Sequence, residues 1–352
     1  MTILQEIQQT FTDMKIVSAI SSTLFIILLG FFLRKREIFN DQVGKVLSKV
    51  VLIVALPALA FKAFMKDIDA ESLAEGIEVL IWGIAIYIIL ILISKPMYLK
   101  YKGDRQDTLR VLTIFGSTTF FGIPIVGAIY GAEGILYASI FNIGYRIFLY
   151  SYGYIKMSGL KMEVGNVKEM FLNPIIIATF LGLFIWIFQG YLPQVSVVAE
   201  DGTKADVAFL RIDQTAPWLF QPMEYLARLA SPLAWLAIGA TLGAIKFRTA
   251  LTDRTSLFYS FNKVIIVPLL NIAFLSLLAV TNVLVVSDVS LGTIVIMMAT
   301  PTATVAAAYA ISFDRDALLA SNASLLSTIT AVIFIPVWII VINIIAGLPI
   351  FG

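Results

Sequence analysis

The sequence has no cysteine and no histidine. That excludes disulfide frameworks, thiol nucleophiles, Ser-His-Asp catalysis, histidine metal sites and histidine proton relays. Charge is scarce too. Asp, Glu, Lys and Arg make up 14% of the 352 residues, against about 25% in an ordinary soluble domain. A soluble enzyme and a disordered chain are excluded on that ground. The net charge of +2 argues against a nucleic-acid partner. What the chain has instead is apolar surface: 59% of its residues are hydrophobic.

A bilayer core ~30 Å thick needs roughly 20 apolar residues in a helix. Ten segments qualify: 16–33, 43–65, 74–95, 109–130, 134–155, 171–190, 218–245, 257–281, 289–311 and 316–345. The fold class is therefore read as an all-α membrane protein of ten transmembrane helices. The first segment does not read as a secretory leader, because only Lys15 precedes it and Arg34, Lys35 and Arg36 follow. Seventeen Lys and Arg residues fall by the loops after odd-numbered spans and five on the opposite side. The positive-inside rule then predicts a multi-pass protein of the cell membrane with both termini outside.

Five spans per half require any internal repeat to be inverted. The fourth span runs Phe115-Gly-Ser-Thr-Thr-Phe-Phe-Gly-Ile-Pro124, and the ninth runs Met298-Ala-Thr-Pro301-Thr-Ala-Thr304. Each sets small and hydroxyl residues around a proline. Tyr130 then precedes Asn142 by twelve residues, and Tyr309 precedes Asn322 by thirteen. The domain reading is a first repeat over 1–158, a cytoplasmic linker over 159–170, and a second repeat over 171–352.

A mid-helix proline removes an N–H and crowds the carbonyl four residues back. In lipid, a broken helix survives only where protein or water covers the break. The fourth and ninth spans are thus expected to break near Pro124 and Pro301 and to cross inside the bundle. Their half-helix N-termini would offer N–H groups and partial positive charge to an anion. Ser117, Thr118, Thr119, Thr302 and Thr304 would add hydroxyl hydrogen bonds, with Asn322 nearby in the tenth span. The competing reading is a pair of proline kinks without a ligand.

Arg146 is the strongest single candidate, since an ionisable residue deep in a span is functional by default. Asn142, four residues earlier, shares its helical face. The two could hold one carboxylate, Arg146 through its two-pronged donors. Alternatively, Arg146 is tied to backbone carbonyls at the break. Lys263, about eight residues into its span, reads as snorkelling to the interface. Glu224 and Arg228 read as a structural pair at the outer interface. Gly239 and Gly243 form a GxxxG pattern for close packing in a scaffold or a dimer.

The insertion 191–216 places Val195–Ala199 and Val207–Arg211 around Asp201-Gly202, which predicts an outer hairpin. No acid lies unambiguously at mid-membrane, so a paired-aspartate proton carrier is not expected. No residue group suggests a metal or a cofactor. Carbonyls and hydroxyls near the crossing could still bind Na⁺, which leaves a coupling cation open.

These residues together resemble the auxin efflux carrier family in its short bacterial form. The likeness runs over nearly the whole chain. It is carried by Leu47 through Pro57, Gly122-Ile-Pro124, Asn173-Pro174, Ser231 through Gly239, Pro268 through Leu270, and Thr300-Pro301 through Thr328. The resemblance implies two inverted five-helix repeats whose fourth and ninth helices cross at prolines, a homodimer, and an elevator-like motion. It implies a scaffold of helices 1, 2, 6 and 7, with helices 3–5 and 8–10 carrying the substrate. The substrates it implies are small organic anions: an auxin-like acid, or a dicarboxylate such as malate or malonate. The family often has Asn where this chain has Ser117, and near Val305.

A secondary carrier for a small organic anion is the leading reading. There is no P-loop for ATP drive. An intramembrane enzyme would need a nucleophile with its base, a metal or paired aspartates, and the spans supply none. A channel fits inverted crossing helices less well than alternating access does. The alternative carrier is a sodium-coupled organic anion symporter of the bile-acid symporter type. Charge also constrains direction, since one elementary charge crossing 100 mV exchanges about 2.3 kcal/mol. An inside-negative cell expels a monoanion downhill, and dianion uptake needs exchange or a coupled cation.

Overall fold

The computed structural model describes residues 14–159, 172–198, 204–244 and 253–347. The expected linker, apart from its first residue, and the Asp201-Gly202 turn lie outside the described residues.

Helix α1 (Met14–Lys35) leads to α2 (Asp41–Val50), whose Asn40 cap accepts from the N–H groups of Gln42 and Val43. A π turn (Val51–Ala55) joins α2 to α3 (Leu56–Ala63). The Asp69 carboxylate caps α4 (Ala70–Met97). Helix α5 (Gly103–Ile114) is followed by a π turn (Thr118–Gly122), α6 (Ile123–Phe148), a π turn (Leu149–Gly153) and α7 (Tyr154–Ser158). Helix α8 (Pro174–Phe188) precedes strands β1 (Gln194–Val198) and β2 (Lys204–Ala208). Then come α9 (Ile212–Thr215), α10 (Pro217–Arg228) and α11 (Ala230–Ala244). Helix α12 (Arg254–Phe261) runs through a π turn (Asn262–Ile266) into α13 (Val267–Val280). The chain continues with α14 (Asp288–Met298), α15 (Thr304–Ser312) and α16 (Ala317–Ala346).

The π turns have a sequence cause. Three of the four stand directly before a helix whose second residue is proline: Pro57, Pro124 and Pro268. Proline pushes against the carbonyl four residues back. A π turn inserts one extra residue and widens the helix there. The helix therefore continues through these prolines. The interruption expected near Pro124 lies instead at residues 115–117, and Pro124 occupies the first turn of α6, where a missing N–H costs little.

Among the described residues, seven continuous helical stretches are long and apolar enough to cross a membrane. Ten spans were expected, and the difference has local causes. The expected fourth and fifth spans share one stretch, Thr118–Ser158. It is turned at Gly131, where φ is 63° and ψ is −144°, a backbone shape that L side chains avoid. The sixth and ninth expected spans hold shorter apolar helices, Pro174–Phe188 and Asp288–Met298, the latter cut off by an interruption at 299–303.

Helix α11 lies along α1 in close backbone contact. A Cβ on Gly239 would stand 2.0 Å from the Ile27 carbonyl oxygen, and one on Gly243 would stand 2.6 Å from Arg34 Cβ. The GxxxG pair is thus used inside the chain.

The insertion forms the expected hairpin, with Gln194 opposite Ala208 and Val198 opposite Lys204. Arg211 pins it. Its side chain is 3% exposed, donates to both Asp213 oxygens at 2.9 and 2.8 Å, and reaches Asp67 at 2.7 Å and Gln189 Oε1 at 3.0 Å. Burial alone would lower the guanidinium pKa, but these carboxylates overcome that and raise it above its ordinary value. Glu224 pairs with Arg228 at 3.3 Å, as expected, and also with Lys62 at 2.5 Å.

Candidate functional site

Helix α5 stops at Ile114 and helical structure resumes at Thr118; α14 stops at Met298 and α15 starts at Thr304. The two gaps lie antiparallel. The Ser117 N–H donates to the Pro301 carbonyl at 2.7 Å, and the Ala303 N–H donates to the Phe115 carbonyl at 2.9 Å. Gly116 faces Thr302 between these bonds. An unsatisfied backbone group in a membrane interior costs several kcal/mol, and each gap here satisfies the other. The contact is tight: a Cβ on Gly116 would lie 2.4 Å from Thr300 Oγ1 and 3.0 Å from Lys263 Nζ.

Side chains of α12 and its π turn close off the end of α5. Tyr259 donates its hydroxyl to the Leu112 carbonyl at 2.9 Å, and Lys263 donates its ammonium to the Thr113 carbonyl at 3.0 Å. These are among the last carbonyls of a helix, which lack helical partners. Lys263 is 0% exposed. It does not snorkel as the sequence reading had it, because the carbonyl end of α5 offers its ammonium an acceptor within the protein.

A cavity of about 300 Å³ opens beside the crossing, at the lower end of the range for small-molecule sites. Ser117, Thr119 and Phe120 line it from one interrupted segment, and Ala303, Thr304 and Val305 from the other. Tyr145, Arg146, Leu149 and Tyr150 also line it, as do Leu52, Ile53 and Asn173 to Ile175. Arg146 is 6% exposed, and neither Nη1 nor Nη2 has a hydrogen-bond partner among the described residues. The alternative, an arginine tied to freed carbonyls, finds no hydrogen bond from Nη1 or Nη2 among the described residues.

Of the residues singled out in the sequence, Ser117, Thr119, Arg146 and Thr304 share this wall. Asn142 stands behind it, fully buried, with Nδ2 3.4 Å from Thr119 Oγ1 and, among the described residues, no partner for Oδ1. Thr118 is buried, and its hydroxyl has no partner among the described residues. Thr302 is outside the wall: its hydroxyl lies 2.5 Å from the Tyr259 hydroxyl and 2.9 Å from Ser327 Oγ, and its N–H donates to Ser327 Oγ at 3.1 Å. Pro301 lends its carbonyl to the crossing, and Pro124 lends its own to Ser231 Oγ at 3.1 Å. Asn322 is half-buried on α16 and does not line the cavity. Phe120, Tyr145 and Tyr150 carried no distinguishing signal, since aromatics are 12% of the chain.

A family model described as membrane transport protein matches residues 15–339. An uncharacterised transporter of Methanothermobacter thermautotrophicus is 24% identical over 327 residues, 91% of this chain and 96% of its own length. An uncharacterised transporter of Methanocaldococcus jannaschii is 21% identical over 233 residues, 64% of this chain and 68% of its own.

Proposed function

Because this chain belongs to the membrane transport protein family, the auxin efflux carriers, we propose that it is a secondary transporter of a small organic anion. Arg146 holds the carboxylate. The observation that carries this reading is a buried guanidinium whose two terminal nitrogens have no hydrogen-bond partner among the described residues, on a residue that lines the cavity. A buried charge without a partner is costly, and a carboxylate supplies two acceptors in the matching geometry. Ser117, Thr119 and Thr304 add neutral hydrogen bonds. Asn142 positions Thr119.

The working motion is elevator-like. Its support is the place of the cavity. Its lining residues come from the second and sixth spans (Leu52, Ile53 and Asn173) and from the fourth, fifth and ninth. Such a mixed lining is what a site between a scaffold of spans 1, 2, 6 and 7 and a mobile set of spans 3–5 and 8–10 would have. Counting the pieces on either side of Gly131, and each interrupted helix as one crossing, the helices fit ten spans in two inverted fives. The homodimer implied by the family would use a face other than Gly239 and Gly243.

The test is binding by the purified protein to acetate, malonate, malate and indole acetate, comparing wild type, Arg146→Ala and Arg146→Lys. At least one carboxylate should bind wild type, and Arg146→Ala should weaken it by roughly 30-fold or more, the usual result of truncating one side of a buried charge pair. Unchanged affinity in a folded Arg146→Ala protein would remove Arg146 from the site.

A further inference from the structure

Lys263 belongs to no wall of the anion cavity, yet its ammonium sits against the crossing. It is fully buried, it donates to the Thr113 carbonyl at 3.0 Å, and a Cβ on Gly116 would lie 3.0 Å from it. Thr300 Oγ1 crowds the same Gly116 position. Among the described residues no carboxylate pairs with Lys263. What balances the charge is the C-terminal end of α5, with its partial negative charge and free carbonyls.

In carriers with interrupted helices, such carbonyl ends are where a small cation is coordinated. Here a covalently attached cation already holds the carbonyl. A metal ion brought to these oxygens would meet a like charge in a space that excludes even a methyl group at Gly116.

We propose that Lys263 is a built-in cation, occupying by its ammonium the position at the crossing that Na⁺ or a similar monovalent ion would otherwise take. The carrier then has no metal co-ion at this place. That consequence rests on the transport reading above, whereas the occupancy of the position does not.

The experiment needs no substrate. Thermal unfolding of the detergent-purified protein is followed in NaCl, LiCl and choline chloride at about 150 mM, near physiological ionic strength. Wild type should unfold at the same temperature in all three. Lys263→Ala vacates the carbonyl and should unfold lower in choline, then recover by roughly 2 °C or more in NaCl or in ethylammonium chloride. Lys263→Met fills the space without charge and should be lowered with no recovery in either salt. Stabilisation of wild type by Na⁺ over choline would overturn the proposal. So would a folded Lys263→Ala protein that responds to the salts as wild type does. Should neither variant fold, the wild-type series still decides. Failure of Arg146→Ala to lose carboxylate binding would leave every one of these outcomes unchanged, so the two ideas fall separately.

Discussion

The Trp338 indole N–H donates to the Val264 carbonyl at 2.8 Å. Val264 stands four residues before Pro268, so its carbonyl is the one that a proline leaves without a helical N–H. The indole is a donor only, and it fills that vacancy from another helix. Trp338 is 5% exposed and Val264 is fully buried, so no lipid or water replaces the bond.

Trp338→Phe should accordingly cost about 1–3 kcal/mol, the penalty of stranding a buried acceptor, beyond the loss of ring volume. Trp186 provides the control. It is 1% exposed and its indole nitrogen has no partner among the described residues, so Trp186→Phe should show the volume loss alone. Equilibrium unfolding in mixed micelles measures both, and equal losses would refute the role of the bond.

Gly116→Ala should open the crossing, because its methyl would stand 2.4 Å from Thr300 Oγ1. Overpacking of this kind costs about 1–3 kcal/mol. Adding Thr300→Ser, which keeps the hydroxyl, should recover little. Thr300→Ala, which removes it, should recover more, since residues in contact are coupled. Unfolding midpoints of the singles and doubles provide the measurement.

Asp69 caps α4 through the Ser72 N–H at 2.6 Å and the Ser72 hydroxyl at 2.8 Å. The Ser72 N–H, then its hydroxyl, hold this carboxyl below its ordinary pKa. A folded-state pKa below the unfolded one means stability is complete above about pH 4. It is lost as pH falls through the lowered value. The stability difference between wild type and Asp69→Asn should be flat from neutral pH down to about pH 4 and shrink below it. A difference that grows with acid would refute the assignment.

Orientation is tested by accessibility, which the absence of native cysteine makes clean. Arg36→Cys and Lys204→Cys should react with an impermeant maleimide from opposite faces of sealed vesicles, Lys204→Cys from outside. Reaction from one face would refute the charge-based topology.

The long apolar runs were legible because a bilayer leaves few choices. The run read as 257–281 is the helical stretch Arg254–Val280. The hairpin was legible too, although its second strand is Lys204–Ala208 and not the run from Val207 to Arg211. Arg146 stood out because a lone charge deep in a span admits few readings. Lys263 did not: eight residues from a span end reads as snorkelling, and the structure buries it instead. Its acceptor is 150 residues away in sequence, and spacing carries no trace of such a contact. The prolines misled in part, since a π turn lets a helix absorb what a strict α-turn would not.

The two gaps bond each other directly through main-chain atoms: Ser117 N to Pro301 O and Ala303 N to Phe115 O. Such a joint does not depend on which side chains flank it, provided Gly116 keeps its space. Positions 117, 119 and 305 can then diverge under selection without unmaking the frame that holds them. Under the transport reading proposed above, substrate preference is free to drift across descendants of this protein while the architecture stays put.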